Sequence, residues 1–344
     1  MRRLLLLPLL LAFPLANGGC IKKMLVDGQI EGTRRASSAF DTIGDYEVAR
    51  AAAQAGLVQF EGMHKLAPDN EDALFMLTKG WTGFGFGFAE DDYEAAVDAR
   101  NEPLADYHEK RAKMAYDRAI FYGTELLGHT KALTDADKRD EKSIKAWLQS
   151  FDDKDKDAGN LFWLGYAWMA RVNLMKADFE LGTPLLAELF IGVAMIERSV
   201  ELDPTYNHHA GTVALAAYNA RASIADPPAG KKLFDLALER TQRKALIVQL
   251  NYATKYACTV SDKPLYEKML NEVIAADDPD PEQRLTNAIA KRRARRAFGE
   301  RRMKECNVWE AAPSNAAAAP AAPPASGTSP AAPPPAPANS AGSK

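Results

Sequence analysis

Apolar residues along most of this chain recur at intervals of three and four, the repeat of one face of an α-helix, and not at intervals of two. Leu161, Leu164, Gly165, Trp168, Val172 and Met175 form one such stripe; Leu185, Leu189, Val193, Ile196 and Val200 form another. No stretch reads as a sheet. The pattern predicts helices over 46–65, 71–88, 104–128, 141–150, 158–176, 184–202, 206–224, 229–244, 246–258, 262–276 and 281–306. Breaks fall at Pro68, Pro103, Pro184, Pro204, Pro227-Pro228, Pro264 and Pro279, because proline lacks the N–H that a helix interior needs.

The order of small and large residues sharpens this. Helical-hairpin repeats of the tetratricopeptide type place Trp-x2-Leu-Gly-x2-Tyr on one helix and small-x3-aromatic-x2-small before Pro on the next, so that small residues admit close helix approach. Leu161-x2-Leu164-Gly165-x2-Trp168 resembles the first half, and Gly192-x3-Ile196-x2-Ser199-x4-Pro204 the second. Gly56-x3-Phe60-x2-Met63-x4-Pro68 is another second half, followed by Leu74-x2-Leu77-Thr78-x2-Trp81. The expected fold is all-α, a TPR-like helical-hairpin array of about eleven helices, with a plain helical bundle as the simpler alternative. The stretch from Ala177 to Gly192 is too long for a standard turn and marks an insertion.

Both ends differ from this body. Arg2 and Arg3 precede the apolar run Leu4 to Ala16, which reads as an export signal. It ends in Asn17-Gly18-Gly19-Cys20, which resembles the bacterial lipoprotein processing box, with Asn17 a departure from the usual Leu. Cys20 is then the lipidated first residue of the mature chain, and the acyl chains hold the body on a membrane without a spanning helix. Ordinary signal cleavage leaving an unmodified cysteine is the alternative. Ile21 lacks the Asp that retains some lipoproteins in the inner membrane, favouring an outer-membrane address. At the other end, residues 311–344 hold 14 Ala and 9 Pro and no aromatic, a composition that cannot bury a core. The organisation expected is a signal peptide over 1–19, a lipid-anchored linker over 20–44, a helical domain over 45–310 and a disordered tail over 311–344.

A pI near 6.0 and a net charge of -3 exclude a basic nucleic-acid footprint. Export places Cys258 and Cys306 in an oxidising compartment, where a disulfide can form; two buried, inert thiols are the other reading. Catalytic constellations are absent: His108-Glu109 is followed by Ala112 where a zinc peptidase needs its second histidine, and Gly-x-Ser-x-Gly does not occur. His208-His209 beside Asp203 is a poor metal site, because adjacent helical residues diverge by about 100°. Gly80 to Phe88 is no phosphate loop, for it follows no strand and lacks Gly-Lys-Ser/Thr. Read as helix, it puts Gly80, Gly83 and Gly87 on one face and Trp81, Phe84 and Phe88 on another. Asp91-Asp92 and Asp152-Asp153 read as solvated turns or helix N-termini. Lys291, Arg292, Arg293, Arg295, Arg296, Arg301, Arg302 and Lys304 read as an exposed helix face, or as a surface for anionic lipid or an acidic partner.

Four blocks in order carry a more specific likeness: Trp81 to Asp92, Phe162 to Asp178, Ile196 to Ala210, and Asn251 to Val273. Together they resemble the T-component family of TRAP transporters, tetratricopeptide-like periplasmic lipoproteins, over most of Asp45 to Phe298. The resemblance implies a non-enzymatic protein without cofactor or metal that faces the periplasm. It implies binding to the solute-binding P subunit, allows a homotrimer, and suggests a hydrophobic cavity giving an apolar ligand a path. Candidate groove residues are Trp81, Phe84, Phe88, Trp163, Tyr166 and Trp168 of the aromatic segments, with Asn251 and Tyr252 of the last block. A structural adaptor in envelope assembly that conducts no ligand is the alternative function, and an unrecognised hydrolase a third.

Overall fold

The computed structural model describes residues 18–175, 188–220 and 226–310. The export signal up to residue 17, the insertion over 176–187 and the Ala/Pro-rich stretch 311–344 lie outside them. Among the described residues no strand forms, and the all-α expectation holds. The elements are α1 (Gly18–Ala36), a 3-10 segment (Ser37–Thr42), α2 (Tyr46–Leu66), α3 (Glu71–Phe84), a first π turn (Gly85–Ala89) and α4 (Glu90–Asp98). They continue with α5 (Glu102–Gly128), α6 (Glu141–Leu148), α7 (Lys154–Met175), α8 (Leu189–Leu202), α9 (Tyr206–Asn219), α10 (Pro227–Arg240) and α11 (Leu246–Asn251). A second π turn (Tyr252–Ala257), α12 (Lys263–Ala275), a short 3-10 segment (Pro281–Gln283), α13 (Arg284–Ala297) and α14 (Glu300–Glu305) complete the chain.

Local chemistry sets the boundaries. Asp45, Asn70, Asn101, Asp140, Asp226 and Asp262 each cap a helix by accepting hydrogen bonds from its first free N–H groups. Pro103, Pro227 and Pro264 sit in the first turns of α5, α10 and α12, where no intrahelical donor is lost. The long helix expected over 281–306 is divided at Gly299, whose extended backbone separates α13 from α14.

Two further differences have clear causes. Residues 20–44, expected as a linker, are mostly helical: α1 lays Val26 and Ile30 against Phe60, Met63 and Met76. Asn70 Nδ2 donates to Asp27 at 2.8 Å, and Arg34 pairs with Asp72. Tertiary burial thus overrides a weak apolar period. His208 and His209 are not in regular helix either; with Asn207 they adopt left-handed backbone (φ 46°, 55° and 64° from Asn207 to His209) at the start of α9.

Consecutive helices pack as neighbours, with α7 against α8, α3 against α5 and α9 against α10. The tightest crossing lies at Gly165 and Gly192. A Cβ on Gly192 would stand 2.8 Å from the Gly165 carbonyl and 3.1 Å from the Met169 backbone nitrogen, so α7 and α8 touch through their main chains. This is the close approach that the small residues foretell. Ser199, fully buried, donates from Oγ to the Ala158 carbonyl at 2.7 Å and closes the same interface. At the far end, Cys258 and Cys306 form a disulfide that fastens the end of α14 to the second π turn.

Because backbone cannot move aside as a side chain can, Gly192→Ala is expected to cost about 1–3 kcal/mol of stability. A urea midpoint unchanged within error would show that the crossing is not backbone-tight.

Candidate functional site

The stretch Gly80 to Asp98 does not run as one α-helix. At Gly85–Ala89 the hydrogen-bond ladder widens to i→i+5, and the chain resumes as α4. Gly80 therefore faces Leu57 and Phe60 of α2, whereas Gly87 faces Ile289 of α13, and the shared glycine face expected for them does not form. Gly85 admits the Tyr116 ring so closely that a Cβ would lie 2.8 Å from it. The widened turn also turns carbonyls toward side-chain donors: Tyr46 donates to Gly87 O at 3.0 Å, and Arg293 to Phe86 O at 2.5 Å.

After this turn α4 presents Glu90, Asp91, Glu94 and Asp98 toward α13 and α14. Asp91 is fully buried. Arg292 reaches it at 2.5 Å and Arg296 at 2.6 Å, while Arg293 stands off at 3.7 Å; Tyr46 donates to its second oxygen at 3.1 Å. Arg296 also bonds Glu94 at 2.9 Å, and Arg302 bonds Asp98 at 2.7 Å. Asp92 projects the other way, to a bidentate contact with Arg50 at 2.7 and 2.9 Å and to Arg111 at 3.3 Å. Neither acid is a solvated turn. The arginine-rich segment is likewise no free surface, since Arg292, Arg293, Arg296, Arg301 and Arg302 are committed to α4. Arg295 and Lys304 alone of that group are exposed, Lys304 pairing with Glu300 and Lys291 donating to the Asp277 carbonyl.

Burial would raise the Asp91 carboxyl, but Arg296, then Arg293 and Arg292, outweigh it and hold the group below its usual range. Burial also works against Glu94, and Arg293, Arg296 and Arg302 bring it down. Glu90 goes the other way: burial raises it and Arg293 compensates only in part. Burial and the neighbouring Glu90 push the Tyr116 hydroxyl far up, and burial does the same for Tyr166. Tyr46 rises to about 12, through burial first and Asp91 second.

Around Glu90 and Glu94 lies a space that water can enter. Both sit deep in the body, yet the Glu90 side chain keeps 18% of its surface accessible and that of Glu94 32%. Arg293, Tyr116, Tyr166 and, from the second π turn, Lys255 surround them.

The eight candidate groove residues do not share one lining. Trp81 donates to Glu61 at 2.9 Å beneath Arg118. Phe84 and Phe88 are core residues near Arg111 and Tyr46. Trp163 donates to the Tyr206 hydroxyl at 2.8 Å on a different face, and Trp168 is buried in the α7–α8 core. Asn251 bonds the Ile247 carbonyl, and Tyr252 stacks on Phe234 and donates to Asp235 at 2.8 Å. Tyr166 alone faces the space beside Glu90, with its ring edge-on to Phe86. Sequence reasoning missed Glu90, Glu94, Tyr116, Lys255 and Arg293. The signal was the matched helical spacing of acids at 90, 91, 94 and 98 and arginines at 292, 293 and 296. Among the described residues no group of three or more His, Cys, Asp or Glu could hold a metal, and no helix is long and apolar enough to cross a membrane.

The family described as TRAP transporter T-component matches residues 43–302, more than half of the 344-residue chain. No curated protein matches it.

Asp91→Asn leaves three arginines without their buried counter-charge and is expected to cost about 3–5 kcal/mol at neutral pH. Asp91 has a folded pKa below its unfolded value of 3.8, so its contribution is full above that value and is lost as pH falls through the folded one. Urea midpoints of wild type and variant should therefore converge on acidification. A gap that stays constant down to pH 2 would show that Asp91 is not the titrating partner.

Proposed function

The chain belongs to the TRAP transporter T-component family, and from that premise we propose that it is an envelope lipoprotein that binds the solute-binding P subunit and passes a small ligand through its own interior. The observation that carries this reading is the extent of the match, which runs from the cap of α2 to α14 and so takes in almost the whole described body. Its members are accessory components of a transporter and not an enzyme family, which agrees with a site built for holding rather than for bond-making. The buried arginines and acids of α4 and α13 neutralise one another, and no nucleophile stands beside a base.

The accessible space between the two π turns supports a route for a solute. Its walls join aromatic rings to charged groups, so a purely apolar lumen is not what they favour. Energy for uptake comes from the membrane subunits of the transporter. Lipidation of Cys20 supplies the anchor, and since Cys20 falls in the first turn of α1, little free chain separates that anchor from the packed body. An outer-membrane address and a homotrimer remain part of the proposal, resting on the sequence after Cys20 and on the family.

Two measurements test it. The full chain, extracted in mild detergent from cells that also express the P and membrane subunits of its own transport system, should co-purify with the P subunit. Recovery of outer-membrane assembly factors and no P subunit would establish the adaptor function instead. Mass spectrometry of the same preparation should find an acylated Cys20, and Cys20→Ala should move the protein to the soluble fraction. An unmodified N-terminus would remove the anchor from the reading.

A further inference from the structure

Asp91 shows what a saturated carboxylate looks like in this protein, with two guanidinium contacts at 2.5 and 2.6 Å and a tyrosine hydroxyl at 3.1 Å. Its neighbour one residue earlier is held quite differently. Arg293 is 3.7 Å from Glu90 and 4.0 Å from Glu94, beyond hydrogen-bond length in both cases. The Nε of Arg293 and the hydroxyl of fully buried Tyr116 have no hydrogen-bond partner, although Tyr116 points toward Glu90. Buried polar groups in folded proteins are nearly always satisfied, and those that are not are completed by water or a ligand. Here such groups converge on a space that keeps accessible surface at depth.

The signs of charge around this space restrict its occupant. Glu90 and Glu94 lie four residues apart on one face of α4, with the Tyr116 and Tyr166 rings beside them. Lys255, exposed on the second π turn, acts electrostatically on both carboxylates, as does Arg293. A simple anion would meet the two glutamates, and a simple cation would meet Lys255 and Arg293. A molecule carrying both charges a few ångströms apart satisfies both sets, and its cationic end gains from the aromatic faces.

We propose that the space between the two π turns binds a small zwitterionic solute, with its ammonium between Glu90 and Glu94 and its anionic group toward Lys255 and Arg293. This deepens the transport reading by naming the class of ligand, and it rests on that reading only for its purpose. Tyr116 orients the ammonium with its free hydroxyl, and Lys255 stands where the solute enters.

The test is calorimetric titration of the full chain in detergent with glycine, β-alanine, taurine and glycine betaine, beside propionate and propylammonium as probes of single charge. At least one zwitterion should bind saturably, and about tenfold or more tightly than either single-charge probe. Lys255→Met, an exposed position that should not disturb folding, and Tyr116→Phe, which keeps the ring against Gly85, should each weaken that binding by about tenfold or more while leaving the melting temperature near that of wild type. The proposal falls if no zwitterion binds, if propionate or propylammonium binds as tightly, or if Lys255→Met leaves the affinity unchanged. Capture of the P subunit is measured separately on the same protein. Zwitterion binding without capture would end the transport reading alone, and capture without zwitterion binding would end this inference alone.

Discussion

Asp91 has no accessible surface, and taking a carboxylate out of water costs several kcal/mol unless its counter-charges come with it. The counter-charges arrive from residues some two hundred positions later, on α13. Arg292, Arg293 and Arg296 can converge on Asp91 only if α4 and α13 lie side by side in one register, and that register also aligns Arg302 with Asp98. Tyr46 joins the same oxygen and the Gly87 carbonyl, so the start of α2 is drawn into the arrangement. One buried charge thereby ties together the beginning, middle and end of the helical body. It also determines where Glu90 and Glu94 stand, because they ride on the same two turns of helix.

Much of the architecture was legible in the chain because it depends on local chemistry. Asx residues ahead of helices, prolines in first turns and the three–four apolar repeat are short-range signals, and the helix starts at Tyr46, Glu71, Glu141, Tyr206 and Leu246 fall where they indicate. Gly165 and Gly192 were legible for a related reason, since a small residue in a stripe of large ones predicts close approach whatever its partner. The site was much less legible. A run such as Lys291 to Arg296 reads as solvated surface, because nothing nearby in sequence opposes it. Only the matching spacing of Glu90, Asp91, Glu94 and Asp98 gives a hint, and pairing the two stripes requires knowing that α4 and α13 are neighbours. The left-handed backbone of Asn207, His208 and His209 has no residue-level signal, for none of the three is glycine.

The charged interior changes the picture of a transport accessory with an apolar bore. Aromatic side chains are plentiful on α3 and α7, but Phe84, Phe88 and Trp168 are spent on packing, and Trp81 and Trp163 on hydrogen bonds to Glu61 and Tyr206. What remains open at depth is lined by carboxylates, guanidinium and phenol. Such a lining discriminates by charge pattern, whereas an apolar one would discriminate by size.

The first π turn has a consequence for what this sequence can tolerate. A π turn is an α-helix that has taken in one additional residue, and each residue in a helix advances the azimuth by about 100°. Removing a single position between Gly85 and Ala89 would let regular winding resume and swing every later side chain of α4 by that angle. The acids would then sweep past their arginines, although no charge had been altered. The segment is thus a phase-setting spacer, and a variant one residue shorter would need its compensating change elsewhere in the same helix, not at the arginines.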